Sequence, residues 1–358
     1  MTSNLERLAG QVLVVGLEGP EAPPTLLGQV HNDLVAGVIL FRRNVREPRQ
    51  LVRLVRAIRE AGQRVCPIVS IDQEGGPVLR MTEPWTVWPE AMAIAERGDR
   101  DLARAMGQAM GEEMAPCGIT CDFAPVLDVH TNPNNPIIGR RAFGTEPGQA
   151  ATLAIAWAEG LMSQGIAACG KHFPGHGDTD RDSHKALPVV AHPTERLETI
   201  ELEPFRRAAA TLPAMMSAHV VYPAWDRDHP ATLSKAIIAD KLRTVCGFKG
   251  VLVSDDLEMA AVADLGSIEE IAVQAIAAGV DLLLVCQHPE KGLADRARTA
   301  LVNACRNDWF RSRLQDAAGR VQRLRRAFRG RTPDEDDAIA VAGSPAHLAI
   351  LGQVRSGR

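Results

Sequence analysis

Short, almost continuous apolar runs recur along the chain, each followed by a longer stretch in which apolar residues return every three or four positions. The short runs occupy 11–17, 36–41, 66–72, 119–125, 168–173, 214–220, 250–256 and 281–286. Apolar character on both faces predicts strands covered on both sides, as in a parallel sheet rather than a solvated antiparallel one. The longer stretches Pro48–Ala61, Asp101–Ala115, Gln149–Ser163, Glu195–Ala209, Ser234–Cys246 and Ser267–Ala278 carry the helical period. Ser234 is placed to cap its helix and Gly247 to close it.

Eight strand–helix units in a chain of 358 residues predict a closed (β/α)8 barrel, an α/β fold of TIM type in a single domain. A doubly wound dinucleotide-binding sheet would want G-x-G-x-x-G after its first strand, and GLEGPEAPP stands there instead. The barrel is expected over 1–330. Residues 331–358 are expected as a tail in which RTPDEDD forms an exposed acidic turn and SPAHLAILGQV a short helix, with no second domain.

Composition narrows the possible functions. A net charge of -4, with both signs interspersed, predicts no nucleic-acid partner. No apolar run approaches the roughly 20 residues needed to span a bilayer, so no membrane association is expected. The amino terminus lacks the pattern of an export signal. The seven cysteines, Cys66, Cys121, Cys169, Cys246 and Cys286 among them, lack finger spacing and are read as reduced core thiols. These features place the protein in the cytoplasm as an expectation.

Candidate chemistry collects where the predicted strands end. In a (β/α)8 barrel the carboxyl ends of all eight strands face one site. Strand three ends in Asp72, strand four runs into Asp128, strand five ends in Lys171 and His172, strand six in His219, and strand seven in Asp255 and Asp256. Charges at such positions are costly unless paired or used. The densest cluster is KHFPGHGDTDRDSH, from Lys171 to His184, where glycines and Pro174 shape a tight turn among His176, Asp178, Asp182 and His184. These residue types also suit a metal ion, but strand one lacks the H-x-H pair common in metal-dependent barrel hydrolases. A solvated polar loop is the remaining alternative.

That cluster, together with SDDLEM after an apolar strand, IDQEGGPVLR, FAPVLDV and NPNNPIIGRRAFG, resembles glycoside hydrolase family 3, from about Leu13 to about Arg329. The D-x-H spacing of Asp182 and His184 resembles its β-N-acetylglucosaminidase branch. The resemblance implies Asp255 as catalytic nucleophile, with Asp256 as the neighbouring alternative, and His184 as acid/base with Asp182 as its dyad partner. It implies sugar-binding roles for Asp72, Arg80, Arg141, Lys171 and His172, and no metal or organic cofactor. For Asp128 a structural role in holding the loop is at least as well founded, and His176, Asp178 and His219 are read as loop-shaping groups.

The implied activity is a retaining, exo-acting β-N-acetylglucosaminidase. It would remove terminal non-reducing N-acetylglucosamine from saccharide partners derived from peptidoglycan, such as N-acetylglucosaminyl-1,6-anhydro-N-acetylmuramic acid. The alternatives are a phosphorylase or β-glucosidase of the same family, and a non-catalytic sugar-binding barrel. Pro77, Arg140 and Val245 depart from residues frequent in the family. The first two bear on loop shape and on the preference for the leaving group.

Overall fold

A computed structural model describes residues 2–180 and 187–356. Asp182 and His184 therefore lie outside the described residues. The eight barrel strands are β1 (Leu13–Val15), β2 (Gly37–Leu40), β3 (Ile68–Ile71), β4 (Cys121–Asp122), β5 (Ala167–Phe173), β6 (Ala214–Ser217), β7 (Val251–Asp256) and β8 (Leu282–Val285). They pair in parallel in chain order, and β8 closes on β1 through Leu13–Leu283, Val14–Leu284 and Val15–Val285. This is the (β/α)8 barrel expected from the alternating runs.

Alternate residues on each strand serve two cores. Val14, Ile39, Cys169, Met216, Val251, Val253, Leu282 and Leu284 belong to one buried cluster, the barrel interior. Leu13, Val15, Val38, Leu40, Leu252, Leu283 and Val285 belong to the larger cluster shared with the surrounding helices. Apolar residues therefore occur on both faces of most strands, and this produces the continuous runs in the sequence. Val321 and Leu324, on the helix Asp308–Ala327, join the inner cluster and seal the amino-terminal end of the barrel.

The ladders are shorter than the apolar runs, most visibly at β4. There the run 119–125 forms only two laddered residues, because Pro125 has no N–H to donate. Its neighbourhood stays bonded through Cys169 N–H to Ala124 and Lys171 N–H to Pro125. Helix Pro48–Ala61 coincides with its predicted span. The stretch 195–209 is instead broken into Thr194–Arg196, a π-helical turn over Leu197–Glu201, and Glu203–Ala208. Ser234 Oγ accepts the amide of Ile237, and Gly247 adopts a φ of 66°, as their cap positions require. All seven cysteines are free, and six of them are buried. Among the described residues no helix is long and apolar enough to cross a membrane.

The stretch expected as an acidic turn is partly helical. Asp334 caps a helix, Glu335–Val341, whose first turn holds Glu335, Asp336 and Asp337. Acidic side chains at a helix amino terminus are favoured by the orphan amides and the helix dipole there. A last helix, Pro345–Arg355, follows and packs on the helix Arg100–Met114. Buried Glu113 anchors this corner by accepting from Thr86 N–H (2.9 Å), the Thr86 hydroxyl (2.8 Å), Trp88 Nε1 (3.2 Å) and Gly343 N–H (3.0 Å). His347 Nδ1 lies 3.3 Å from the same carboxylate.

Burial acts to lower the pKa of His347, but Glu113 and Glu112 outweigh it and raise it. A raised histidine pKa stabilises the fold fully below the unfolded value of about 6.5, and that contribution fades as pH climbs through the folded value. His347→Ala is therefore expected to lower stability by about 1–3 kcal/mol, by leaving Glu113 short of a partner. The difference in Tm from the parent should be larger at pH 5.5 than at pH 8.5, read by thermal melts at both. Equal differences at the two pH values would contradict a charged His347.

Candidate active site

Side chains two residues apart on a strand point the same way, so the inward rows can be followed to the mouth of the barrel. Ile68, Ser70 and Asp72 form one such row. Ala167, Cys169 and Lys171 form another, and Val251, Val253 and Asp255 a third. Each begins in the inner core and ends in a charged group at the carboxyl end of its strand.

The Lys171 side chain is 3% exposed, and its ammonium lies 2.9 Å from Asp72 Oδ1 and 2.6 Å from Glu74 Oε1. Arg141 reaches over from the connection after β4 and grips Glu74 with two bonds, Nε to Oε2 and Nη2 to Oε1, each 2.8 Å. Arg80 Nη2 closes the array on Asp72 Oδ2 at 3.2 Å. Burial opposes the charges of Glu74, Arg141 and Lys171. Even so, Arg141 and Lys171 hold the carboxyl of Glu74 far below its usual range, and Asp72 and Glu74 hold the ammonium of Lys171 well above its own. The opposing charges thus favour the ionised forms of Glu74, Lys171 and Arg141.

Asp128, fully buried, holds the turn after β5. Its Oδ1 accepts the amides of His172 (3.1 Å) and His176 (2.6 Å), and its Oδ2 lies 2.7 Å from His172 Nδ1. Its own pKa is lowered, because His172 and His176 outweigh burial. The buried ring of His176 has its pKa driven down to about 4, chiefly by burial and next by His172, so it is neutral at physiological pH. Gly177 has no alternative at its position, since a Cβ there would come within 1.7 Å of the carbonyl oxygen of Val129. Asn135 then joins the connection after β4 to the turn by donating to the carbonyl of His176 (2.9 Å) and to Thr179 Oγ1 (3.2 Å).

The two acids that end β7 sit in different environments. Asp255 is half-buried in the mouth; His219, His172, the Asp256 amide and Lys171 outweigh burial and lower its pKa. Asp256 N–H donates to Asp255 Oδ1 at 2.8 Å. The carboxyl of Asp256 is pushed up to about 7 by burial and by the proximity of Glu258 and Asp255. Its Oδ1 accepts the amides of Glu258 (3.2 Å) and Cys286 (3.3 Å), a structural use. His219 Nε2 donates to the carbonyl of Asp256 at 3.1 Å, which leaves Nδ1 facing the Thr232 hydroxyl at 2.8 Å.

Asp72, Arg80, Arg141, Lys171, His172 and Asp255 all line one cavity of about 180 Å³ in the mouth of the barrel. Phe41, Met216, Met259 and Leu284 add apolar wall. The described residues thus bring six of the eight predicted site residues together, and the other two, Asp182 and His184, fall outside them. A larger cavity of about 400 Å³ opens between the loops after β1 and β8. Acids such as Glu18, Glu21 and Glu290 dominate its rim, and it receives none of these six residues.

The sequence reading missed Glu74, which bridges Lys171 and Arg141. Its signal was available: an acid beside two glycines, two residues beyond Asp72. Of the departures noted in the sequence, Arg140 turns outward to Glu90 (2.8 Å) and Glu96 (2.9 Å), and Val245 is a surface residue. Among the described residues, one trio, Asp178, His192 and Glu201, brings potential metal-ligand atoms within 4.8 Å of one another. The guanidinium of Arg196 already donates to both of its carboxylates.

Comparison with known proteins identifies the family. The family model described as "Glycosyl hydrolase family 3 N terminal domain" matches residues 7–324. A beta-hexosaminidase of Alkalilimnicola ehrlichii is 42% identical over 285 residues, covering 78% of this chain and 81% of that protein. The beta-hexosaminidase of Neisseria meningitidis serogroup B is 41% identical over 272 residues, 74% of each chain. Among solved structures, a family 3 beta-N-acetylglucosaminidase from Paenibacillus sp. superposes with a TM-score of 0.92 at 36% identity, covering 99% of this chain and 69% of that one. NagZ from Neisseria gonorrhoeae, in complex with N-trifluoroacetyl-D-glucosamine, superposes with a TM-score of 0.81 at 32% identity, covering 97% of this chain and 98% of that one. A barrel whose inward rows end in this charged mouth, matched by that family model over most of its length, belongs to glycosyl hydrolase family 3.

Proposed function

We propose that the protein is a retaining, exo-acting β-N-acetylglucosaminidase that removes terminal non-reducing N-acetylglucosamine from peptidoglycan-derived saccharides. N-acetylglucosaminyl-1,6-anhydro-N-acetylmuramic acid is the representative substrate. The observation that carries this reading is the placement of ionised Asp255 in one small cavity with Asp72, Arg80, Arg141, Lys171 and His172. The relatives named beta-hexosaminidase and the solved beta-N-acetylglucosaminidase support the sugar. The peptidoglycan-derived leaving group rests on the motif resemblance.

In this reading Asp72 and Lys171 bind ring hydroxyls through charge-assisted bonds. Arg80 lines the same cavity, and its guanidinium is held there by Asp72. The Asp255 carboxylate attacks the anomeric carbon. The glycosidic C–O bond breaks, and His184, held by Asp182, gives its proton to the departing oxygen. His184 then takes a proton from water, which attacks the same carbon and releases Asp255. Two displacements restore the starting configuration. Asp256 is a poor alternative nucleophile, because its raised pKa leaves it partly neutral and its Oδ1 is committed to backbone amides.

Asp255→Ala is expected to cut kcat on 4-nitrophenyl β-N-acetylglucosaminide by about four orders of magnitude with Tm retained. Near-parental turnover would move the nucleophile to Asp256. His184→Ala should reduce kcat/KM far more for an alkyl N-acetylglucosaminide than for the nitrophenyl one, because an activated leaving group needs little protonation. Equal losses on both would remove His184 from the acid role. Product analysis in phosphate buffer should yield free N-acetylglucosamine; accumulation of the sugar 1-phosphate would make the protein a phosphorylase instead.

A further inference from the structure

The segment that carries Asp182 and His184 leaves and rejoins the described structure at two stems, and both are anchored by specific bonds. On the outgoing stem, Asn135 holds His176 and Thr179 as above, and the Thr131 hydroxyl donates to Asp178 Oδ1 at 2.8 Å. On the returning stem, Val190 N–H donates to the carbonyl of Val221 (2.9 Å), and Val221 N–H to that of Pro188 (3.0 Å). The stems are then joined directly. Asp178 Oδ2 is hydrogen-bonded to His192 Nε2, although the two residues stand 14 positions apart in the chain.

Arg196 reinforces this junction by donating to Asp178 Oδ1 (3.1 Å) and to Glu201 Oε1 (3.4 Å). Glu201 is 2% exposed, and its Cβ packs 2.8 Å from where a Cβ on Gly175 would sit, so the junction rests on the rigid turn after β5. None of Asp178, His192, Arg196 or Glu201 lines the cavity that holds Asp255. These four residues are therefore not part of the wall of that cavity. They do join the described chain before residue 181 to the described chain after residue 186.

We propose that Asp178 and His192 are positioning residues for proton transfer, joining the stems of the segment that carries Asp182 and His184. The inference rests on the reading of His184 as acid/base. Tying the ends of a loop removes conformations its middle would otherwise sample. Proton transfer tolerates little misplacement of donor and acceptor. Releasing the junction should therefore slow the step that needs the proton and spare steps that do not. Attack by Asp255 on a substrate whose leaving group needs no proton is spared, because Asp255 sits on β7, away from the junction.

The test compares Asp178→Asn, His192→Ala and His192→Gln with His184→Ala. The measurements are kcat/KM on an alkyl and on a 4-nitrophenyl N-acetylglucosaminide, with Tm for each variant. Asp178→Asn and His192→Ala are expected to lose about tenfold or more on the alkyl substrate and less than about threefold on the nitrophenyl one. His192→Gln, whose side-chain amide can still donate to Asp178, should recover most of the loss. If His184→Ala separates the two substrates while Asp178→Asn and His192→Ala lower both equally, or neither, the positioning role is overturned. If His184→Ala itself fails to separate them, the acid/base reading falls and the positioning role with it. A loss that tracks a fall in Tm on both substrates marks the junction as structural only, and also overturns the proposal.

Discussion

Burying the ammonium of Lys171 at the mouth of a barrel carries a desolvation cost that only opposing charge at hydrogen-bond distance can offset. Asp72 and Glu74 supply that charge, and the guanidinium groups of Arg141 and Arg80 satisfy their remaining oxygens. The array joins β5 to the segment after β3 and to the long connection after β4. Asp72, Glu74 and Lys171 each meet two partners of opposite charge, so the three connections are held in one arrangement. The mouth of the barrel is therefore built before any sugar arrives, which is the preorganisation that selective binding of a flexible, hydroxyl-rich ligand requires.

The same field separates two carboxyls that are neighbours in sequence. Asp255 continues the inward row of β7 and meets histidines and the lysine, so it stays ionised. Asp256 is committed to the amides of Glu258 and Cys286 in a buried site crowded by other acids, and its pKa rises towards neutrality. Two acids placed in opposite environments commonly take different roles. Here one is suited to bond formation and the other to shaping the turn that follows.

Behind the mouth, the turn after β5 is held by groups that never line the cavity. Asp128 gathers two amides and an imidazole, Asn135 links the connection after β4 to this turn, and Asp178 meets His192 across the stems. The covalent and proton-handling functions proposed for the site thus depend on different parts of the fold. The former relies on strand parity and a buried charge array, and the latter on polar bonds between connections.

The amino-acid sequence by itself determined the barrel, because a parallel strand buried on both faces is apolar at nearly every position, and eight such runs alternate with helical spacing. It also exposed Asp72, Lys171, His172 and Asp255, since a charge at the end of an apolar run stands out. Local pattern could not show the partner of each charge. Glu74 was overlooked because its role exists only where β3, β5 and Arg141 meet, and the Asp178–His192 contact joins residues whose sequence neighbours predict nothing about it. Tertiary structure alone decided that Asp255 rather than Asp256 keeps its charge, because a carboxyl's pKa depends on burial and on the charges folded around it.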